Sequence, residues 1–105
     1  MKLITGASGM LGQALVEHLT SHGEKCLPLS STHVDLRDQS TTKLKFSIFS
    51  PETVFHLAAR VGGVRANMES QADFYRDNIL INTNVMYASV LSRVKKVVSV
   101  LSTCI

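Results

Sequence analysis

A chain of 105 residues, 45% hydrophobic and 18% charged, has room for one domain with one core and is too apolar to remain disordered. Its net charge of +3 is scattered apart from Arg93, Lys95 and Lys96, which read as a solvated helix end, so no clustered basic face marks a nucleic-acid partner. Cys26 and Cys104 fit no zinc or disulfide pattern and read as reduced thiols of a cytoplasmic protein; glycines beginning at Gly6 leave no room for a signal peptide, and no apolar run approaches the ~18 residues of a membrane helix.

In chain order, Lys2–Thr5 reads as a short apolar strand and Met10–His22 as a helix, with Leu11, Leu15 and Leu19 on one face and Gly23 as its C-terminal cap. Lys25–Leu29 reads as a second strand, in which Pro28 belongs near an end or an edge because it cannot donate a ladder hydrogen bond. Ser40–Phe49 is a short helix with Leu44 and Ile48 four apart, stopped by Ser50-Pro51. Thr53–Leu57 is a third strand, residues 58–66 a loop around Gly62-Gly63, and Asp73–Ser92 a long helix whose stripe is Phe74, Ile81, Val85 and Ala88. Lys96–Leu101 is a fourth, Val-rich strand. This alternation predicts an α/β fold, a Rossmann-like doubly wound parallel sheet of four strands in the order 3-2-1-4 with flanking helices.

The first turn carries the strongest local signal. Gly6, Ala7, Ser8, Gly9, Met10, Leu11 and Gly12 give the spacing G-x-x-G-x-x-G between a strand and a helix. Gly6 serves the sharp turn, Gly9 the approach of a phosphate to the backbone, and Gly12 the packing of helix on sheet; the helix then offers free N–H groups and its dipole to a pyrophosphate. At the end of the second strand, where a carboxylate would hold the ribose hydroxyls of NAD, stand Ser30, Ser31 and Thr32. Nothing there repels a 2′-phosphate, which favours NADP(H), although no nearby arginine reinforces the preference. Asp35 comes too late for the ribose and with Leu36 is expected to face the adenine; its other reading is a cap for the helix near Ser40. Asn78 and Asn84 read as ordinary helix polarity, and His18, His22, His33 and His56 as structural.

The glycine spacing resembles that of the extended short-chain dehydrogenases, and His56-Leu57-Ala58-Ala59 resembles their second signature. The run His56 to Gly63, then Asn67, Asp73-Phe74-Tyr75-Arg76-Asp77-Asn78-Ile79, Asn82-Thr83-Asn84-Val85, and the end Lys95 to Ile105 with Ser102-Thr103-Cys104 are similar to the GDP-L-fucose synthases in order and spacing. That resemblance implies an NADPH-dependent 3,5-epimerisation and 4-keto reduction of GDP-4-keto-6-deoxy-D-mannose. It implies that Gly6–Gly12, Asp35, Leu36, Leu57, Ala58 and Ala59 bind the cofactor. It further implies that Ser102 is the serine of a Ser–Tyr–Lys set, that Cys104 is an acid/base in the epimerisation, and that the complete enzyme is a homodimer. No metal site is expected. The Tyr-x-x-x-Lys pair does not occur: Tyr75 is followed at the fourth position by Ile79, and Tyr87 by Leu91. The chain is thus expected to be the N-terminal part of an NADP-binding Rossmann domain, without the substrate-binding domain, inactive alone and of marginal stability with its fourth strand an exposed edge. Two alternatives stay open: another extended sugar-nucleotide epimerase or dehydratase using NAD, and a non-catalytic nucleotide-binding module.

Overall fold

The computed structural model describes residues 1–58 and 68–100. Its elements are β1 (Lys2–Thr5), α1 (Met10–Ser21), β2 (Cys26–Leu29), α2 (Gln39–Phe49), β3 (Thr53–His56), α3 (Met68–Leu91) and β4 (Lys96–Ser99). The expected helices and strands are all present, α3 beginning five residues earlier than expected; residues 59–66 of the expected loop and Leu101 of the expected fourth strand lie outside the described residues. The strands are parallel, in register Lys2 with Cys26 and Thr53, and Thr53 with Lys96. Pro28 lies on β2, an edge of the sheet, where its missing N–H costs no ladder bond.

The strand order differs from expectation. It is β2-β1-β3-β4 rather than 3-2-1-4. The cause is the face that α2 chooses. A right-handed crossover continuing past β2 would lay α2 beside α1, whereas one that returns across β1 lays it on the opposite face. Here α2 packs with α3. The winding therefore reverses between β2 and β3, one crossover earlier than expected, and β3 becomes the neighbour of β1. Helices still cover both faces, so the doubly wound Rossmann-like architecture stands.

Alternation along the strands divides the core accordingly. Leu3, Leu29 and Val54 point toward α2 and α3, where they join Val34, Leu36, Phe46, Ile81, Val85 and Ala88. Ile4, fully buried, faces the α1 side. In α2 the buried pair is Thr42 and Phe46, while Leu44 and Ile48 are exposed, so the expected stripe lies on the wrong side of that helix. In α1, Leu15 and Leu19 are half-buried and Leu11 is exposed. In α3, Ile81, Val85 and Ala88 are buried as expected, and Phe74 is half-buried.

Local chemistry fixes the ends. Gly23 takes φ +76 just beyond α1. Asp38 caps α2, its carboxylate accepting from the Ser40 N–H at 3.1 Å and from the Thr41 hydroxyl at 2.8 Å, which removes capping as a role for Asp35.

Candidate functional site

A sheet whose winding reverses leaves a crevice at the carboxyl ends of the two strands whose following helices go to opposite faces. Here those strands are β1 and β3. A cleft of ≈ 610 Å³ opens at that point, lined by Gly6, Ser8, Gly9, Leu29, Ser30, Ser31, Val34, Asp35, Leu36, Arg37, Leu57, Ala58 and Ile81. Its size is in the range of sites for nucleotide-sized ligands.

The three glycines of the first turn differ in what demands them. Gly6 has φ +70, and a Cβ there would sit 2.7 Å from the Ala58 nitrogen. A Cβ on Gly12 would lie 2.2 Å from the Gly6 carbonyl oxygen and 2.8 Å from the Ala7 Cα. Both glycines are required by the fold itself, because every one of these neighbours is backbone. Gly9 is not: its φ is −73, and a Cβ would meet only the Gly6 oxygen at an ordinary 3.5 Å. Gly9 lines the cleft at the N-cap of α1, a helix with no side-chain cap and no acidic residue in its first turn. The first N–H groups of a helix lack intrahelical partners and carry the positive end of its dipole. This is a cradle that a Cβ would fill, and it fits the diphosphate of a dinucleotide.

The opposite lip is braced by a hydrogen-bonded relay. The Thr5 Oγ1 accepts from the N–H groups of Leu57 and Ala58, each at 3.1 Å, which occupies both lone pairs of the hydroxyl. Its own proton must then go to His56 Nδ1, 2.7 Å away. That leaves His56 neutral with its proton on Nε2, which donates to Asn82 Oδ1 at 2.7 Å. Burial pushes the imidazole below its ordinary pKa, and the bond to Asn82 opposes the shift. The reading of His56 as structural agrees with this geometry: it holds Leu57 and Ala58, which line the cleft.

The third wall is the Val34–Arg37 segment. Leu36 is buried, and its carbonyl accepts from Asn84 Nδ2 at 2.9 Å. Asp35 Oδ1 accepts from the Arg37 N–H and Nε, both at 3.0 Å, and Oδ2 from Nη2 at 2.9 Å. Those bonds from Arg37 hold the Asp35 carboxyl below the usual range and raise the guanidinium. One lone-pair direction of Asp35 is left for a donor in the cleft. Ser30 is set by His33, whose Nδ1 accepts the Ser30 N–H at 3.1 Å, and its hydroxyl is 2.7 Å from that of Thr32.

Of the expected cofactor residues, Gly6, Ser8, Gly9, Asp35, Leu36, Leu57 and Ala58 therefore come together in one cleft. Ala7 lies on a different surface hollow, with Gln13 and Pro28, and Met10, Leu11 and Gly12 do not line the cleft, though Gly12 shapes it from beneath. Ala59, Ser102 and Cys104 lie outside the described residues. Sequence reasoning missed Arg37, Val34 and Ile81 as lining residues and Asn84 as a support. Arg37 corrects the expectation that no arginine stands near the Ser30–Thr32 hydroxyls, for it lines the same cleft as Ser30 and Ser31. Among the described residues no cluster of metal-ligating side chains occurs, and no helix is long and apolar enough to cross a membrane.

Comparison with known proteins agrees with this fold. The model of the NAD dependent epimerase/dehydratase family matches residues 2–105. A GDP-L-fucose synthase of Dictyostelium discoideum is 39% identical over 98% of this chain, and a probable GDP-L-fucose synthase of Drosophila melanogaster 40% identical over 98%. The chain spans 33% of the length of each, about a third. A crystal structure of a GDP-L-fucose synthetase from Naegleria fowleri bound to NADP superimposes with a TM-score of 0.85 at 37% identity, covering 98% of this chain and 34% of that one. The chain described here belongs to the NAD dependent epimerase/dehydratase family.

Proposed function

We propose that this chain is the NADP(H)-binding N-terminal part of a GDP-L-fucose synthase, an oxidoreductase and epimerase acting on GDP-4-keto-6-deoxy-D-mannose. The observation that carries the cofactor reading is Gly9, a glycine the fold does not need, at the mouth of α1. The diphosphate rests against Gly9 and the first turn of α1; the adenine lies between Asp35–Leu36 and Leu57–Ala58, and Ala59 is proposed to bind the cofactor with them. Ser30, Ser31 and Thr32 offer hydroxyls and no carboxylate to a 2′-phosphate, which supports NADP over NAD. The substrate reading is supported by the similarity to GDP-L-fucose synthases along 98% of the chain.

When bound, the reduced nicotinamide supplies a hydride to the C4 ketone. Ser102 donates a hydrogen bond to the C4 oxygen as negative charge grows there. Cys104 exchanges the protons at C3 and C5, which the adjacent ketone acidifies; a thiol with an ordinary pKa near ~8.5 is tunable for that task. The 105 residues contain no Tyr-x-x-x-Lys pair, and by themselves they bind cofactor without turnover. The reading extends to a cytoplasmic homodimer. Its support is an outer stripe of α3, Tyr75, Ile79, Met86 and Val90, that stays exposed although the opposite side of the helix is buried; sedimentation of the protein and of a Val90→Lys variant tests it, a unchanged monomer in both counting against a dimer.

Titration of the purified protein with NADPH, followed by nicotinamide fluorescence and by melting temperature, tests the cofactor reading. Saturable binding that raises the melting temperature is expected, with NADH weaker; no response to either nucleotide refutes it. Conversion of the GDP-keto sugar by the enzyme, with loss of activity in Ser102→Ala and loss of C3 and C5 proton exchange in Cys104→Ser, tests the substrate reading.

A further inference from the structure

Resting on the reading that the cleft holds NADP(H), we propose that Arg37 is a specificity-determining residue, which neutralises Asp35 at the adenosine wall and so makes that wall acceptable to a phosphorylated ribose. Asp35 and Arg37 are the charged residues among those lining the cleft, and Ser30 and Ser31 share it with them. The Arg37 fork covers both oxygens of Asp35, and its Nη1 lies 3.6 Å from Oδ2 of Asp77 on α3. Asp77 is 3% exposed, and Arg76 also lies within 4.0 Å of it.

The charge balance follows from these contacts. With Arg37 present, a guanidinium covers the Asp35 carboxylate. Without it, Asp35 stands uncovered in the cleft that it shares with Ser30 and Ser31. NAD carries no phosphate at that ribose and is not repelled. A 2′-phosphate that shares the cleft with an uncovered carboxylate, in an environment partly open to water, is disfavoured about tenfold. The ratio of NADP to NAD affinity therefore reads the role of Arg37, and the contact between Asp35 and the adenine cancels from it.

The experiment measures NADP⁺ and NAD⁺ dissociation constants for the wild type, Arg37→Ala, Arg37→Lys and the double variant Arg37→Ala/Asp35→Asn, with a melting curve for each. The expected result is a fall of about tenfold in the NADP⁺ to NAD⁺ preference for Arg37→Ala, smaller at high salt. Arg37→Lys, which keeps the charge but loses the fork, retains the preference. The double variant recovers it. Should Arg37→Ala fail to fold, Arg37→Gln reads the same ratio. Equal losses for both nucleotides would make Arg37 a structural brace and overturn the proposal. A preference still low in the double variant would make Arg37 a direct phosphate ligand and overturn it too. A wild type that binds neither nucleotide defeats the site reading itself, a failure distinct from unaltered preference in variants that bind.

Discussion

Alanine at position 9 and alanine at position 12 are the same chemical change three residues apart, and the structure assigns them opposite consequences. In Gly12→Ala the new methyl falls 2.2 Å from the Gly6 oxygen and 2.8 Å from the Ala7 Cα. Neither neighbour can rotate away, so α1 must lift from the sheet. Overpacking of this kind costs ~3 kcal/mol, at the upper end of its usual range, because the obstacle is backbone. For a domain of this size that lowers the melting temperature by about 12–24 °C. In Gly9→Ala the methyl has only a 3.5 Å contact, the φ of −73 suits alanine, and no side-chain cap is lost. A small N-cap penalty and the reduced entropy of the unfolded chain, each ~0.5 kcal/mol, offset one another. The methyl instead stands where the diphosphate meets the helix. Losing a charge-assisted hydrogen bond of ~1.5–3 kcal/mol weakens NADPH binding by about 10- to 100-fold. Melting curves and NADPH titrations of both variants check this. A Gly9→Ala protein that binds NADPH like the wild type would show that no ligand approaches the backbone there.

Three further outcomes follow from the same geometry. Thr5→Val keeps the shape but strips the Ala58 N–H of its acceptor and buried His56 of its donor, while the Leu57 N–H keeps the Thr5 carbonyl at 3.3 Å; it should cost about 1–3 kcal/mol by denaturant unfolding. His56 has a folded pKa depressed below 6.5, so the unfolded chain takes up its proton first. Stability is then full above about pH 6.5 and falls as pH drops from there toward the folded value; a His56→Gln variant, less stable at pH 7.5, should show a flatter melting profile between pH 7 and 5. Asp38→Ala should lose ~1 kcal/mol of stability with the α2 cap, while Asp35→Ala should weaken NADP⁺ binding and leave α2 helicity unchanged by circular dichroism.

The elements were legible because each is a local pattern: apolar runs bounded by glycine or proline, and leucines at helical spacing. The cleft's glycine lip was legible for the same reason. The strand order was not, because it hangs on one ambiguity in a short helix. In α2 both Leu44/Ile48 and Thr42/Phe46 are four apart and lie on opposite sides. Hydropathy favours the first pair, but the aromatic ring of Phe46 fills the space over Leu3 and Val54, and the polar Thr42 is tolerated because its hydroxyl donates to the Asp38 carbonyl at 2.8 Å. The supports of the far wall were hidden for another reason. Asn84 holds a carbonyl 48 residues upstream, and no local spacing encodes that bond. Arg37 left a faint signal: in Asp35-Leu36-Arg37 a buried apolar residue is flanked by opposite charges, a pattern that points both outward on one side of a segment.

These hidden supports converge on one helix. A buried helix face carrying Asp77 and Asn84 among Ile81, Val85 and Ala88 is costly unless each polar group finds a partner. Asp77 meets Arg37, and Asn84 meets Leu36; Asn82 on the same helix reaches back to His56. Among the described residues no buried side-chain nitrogen or oxygen lacks a partner. The polar residues of α3 that look like surface decoration in the sequence thus act on two walls of the cleft at once, the Val34–Arg37 segment and the end of β3. Because the winding reverses between β2 and β3, α3 runs beneath both walls; with the order 3-2-1-4 it would have followed a strand two places from β1. The altered strand order and the hidden polar supports are therefore one fact: placing β3 beside β1 is what brings Asp77, Asn82 and Asn84 within reach of the site.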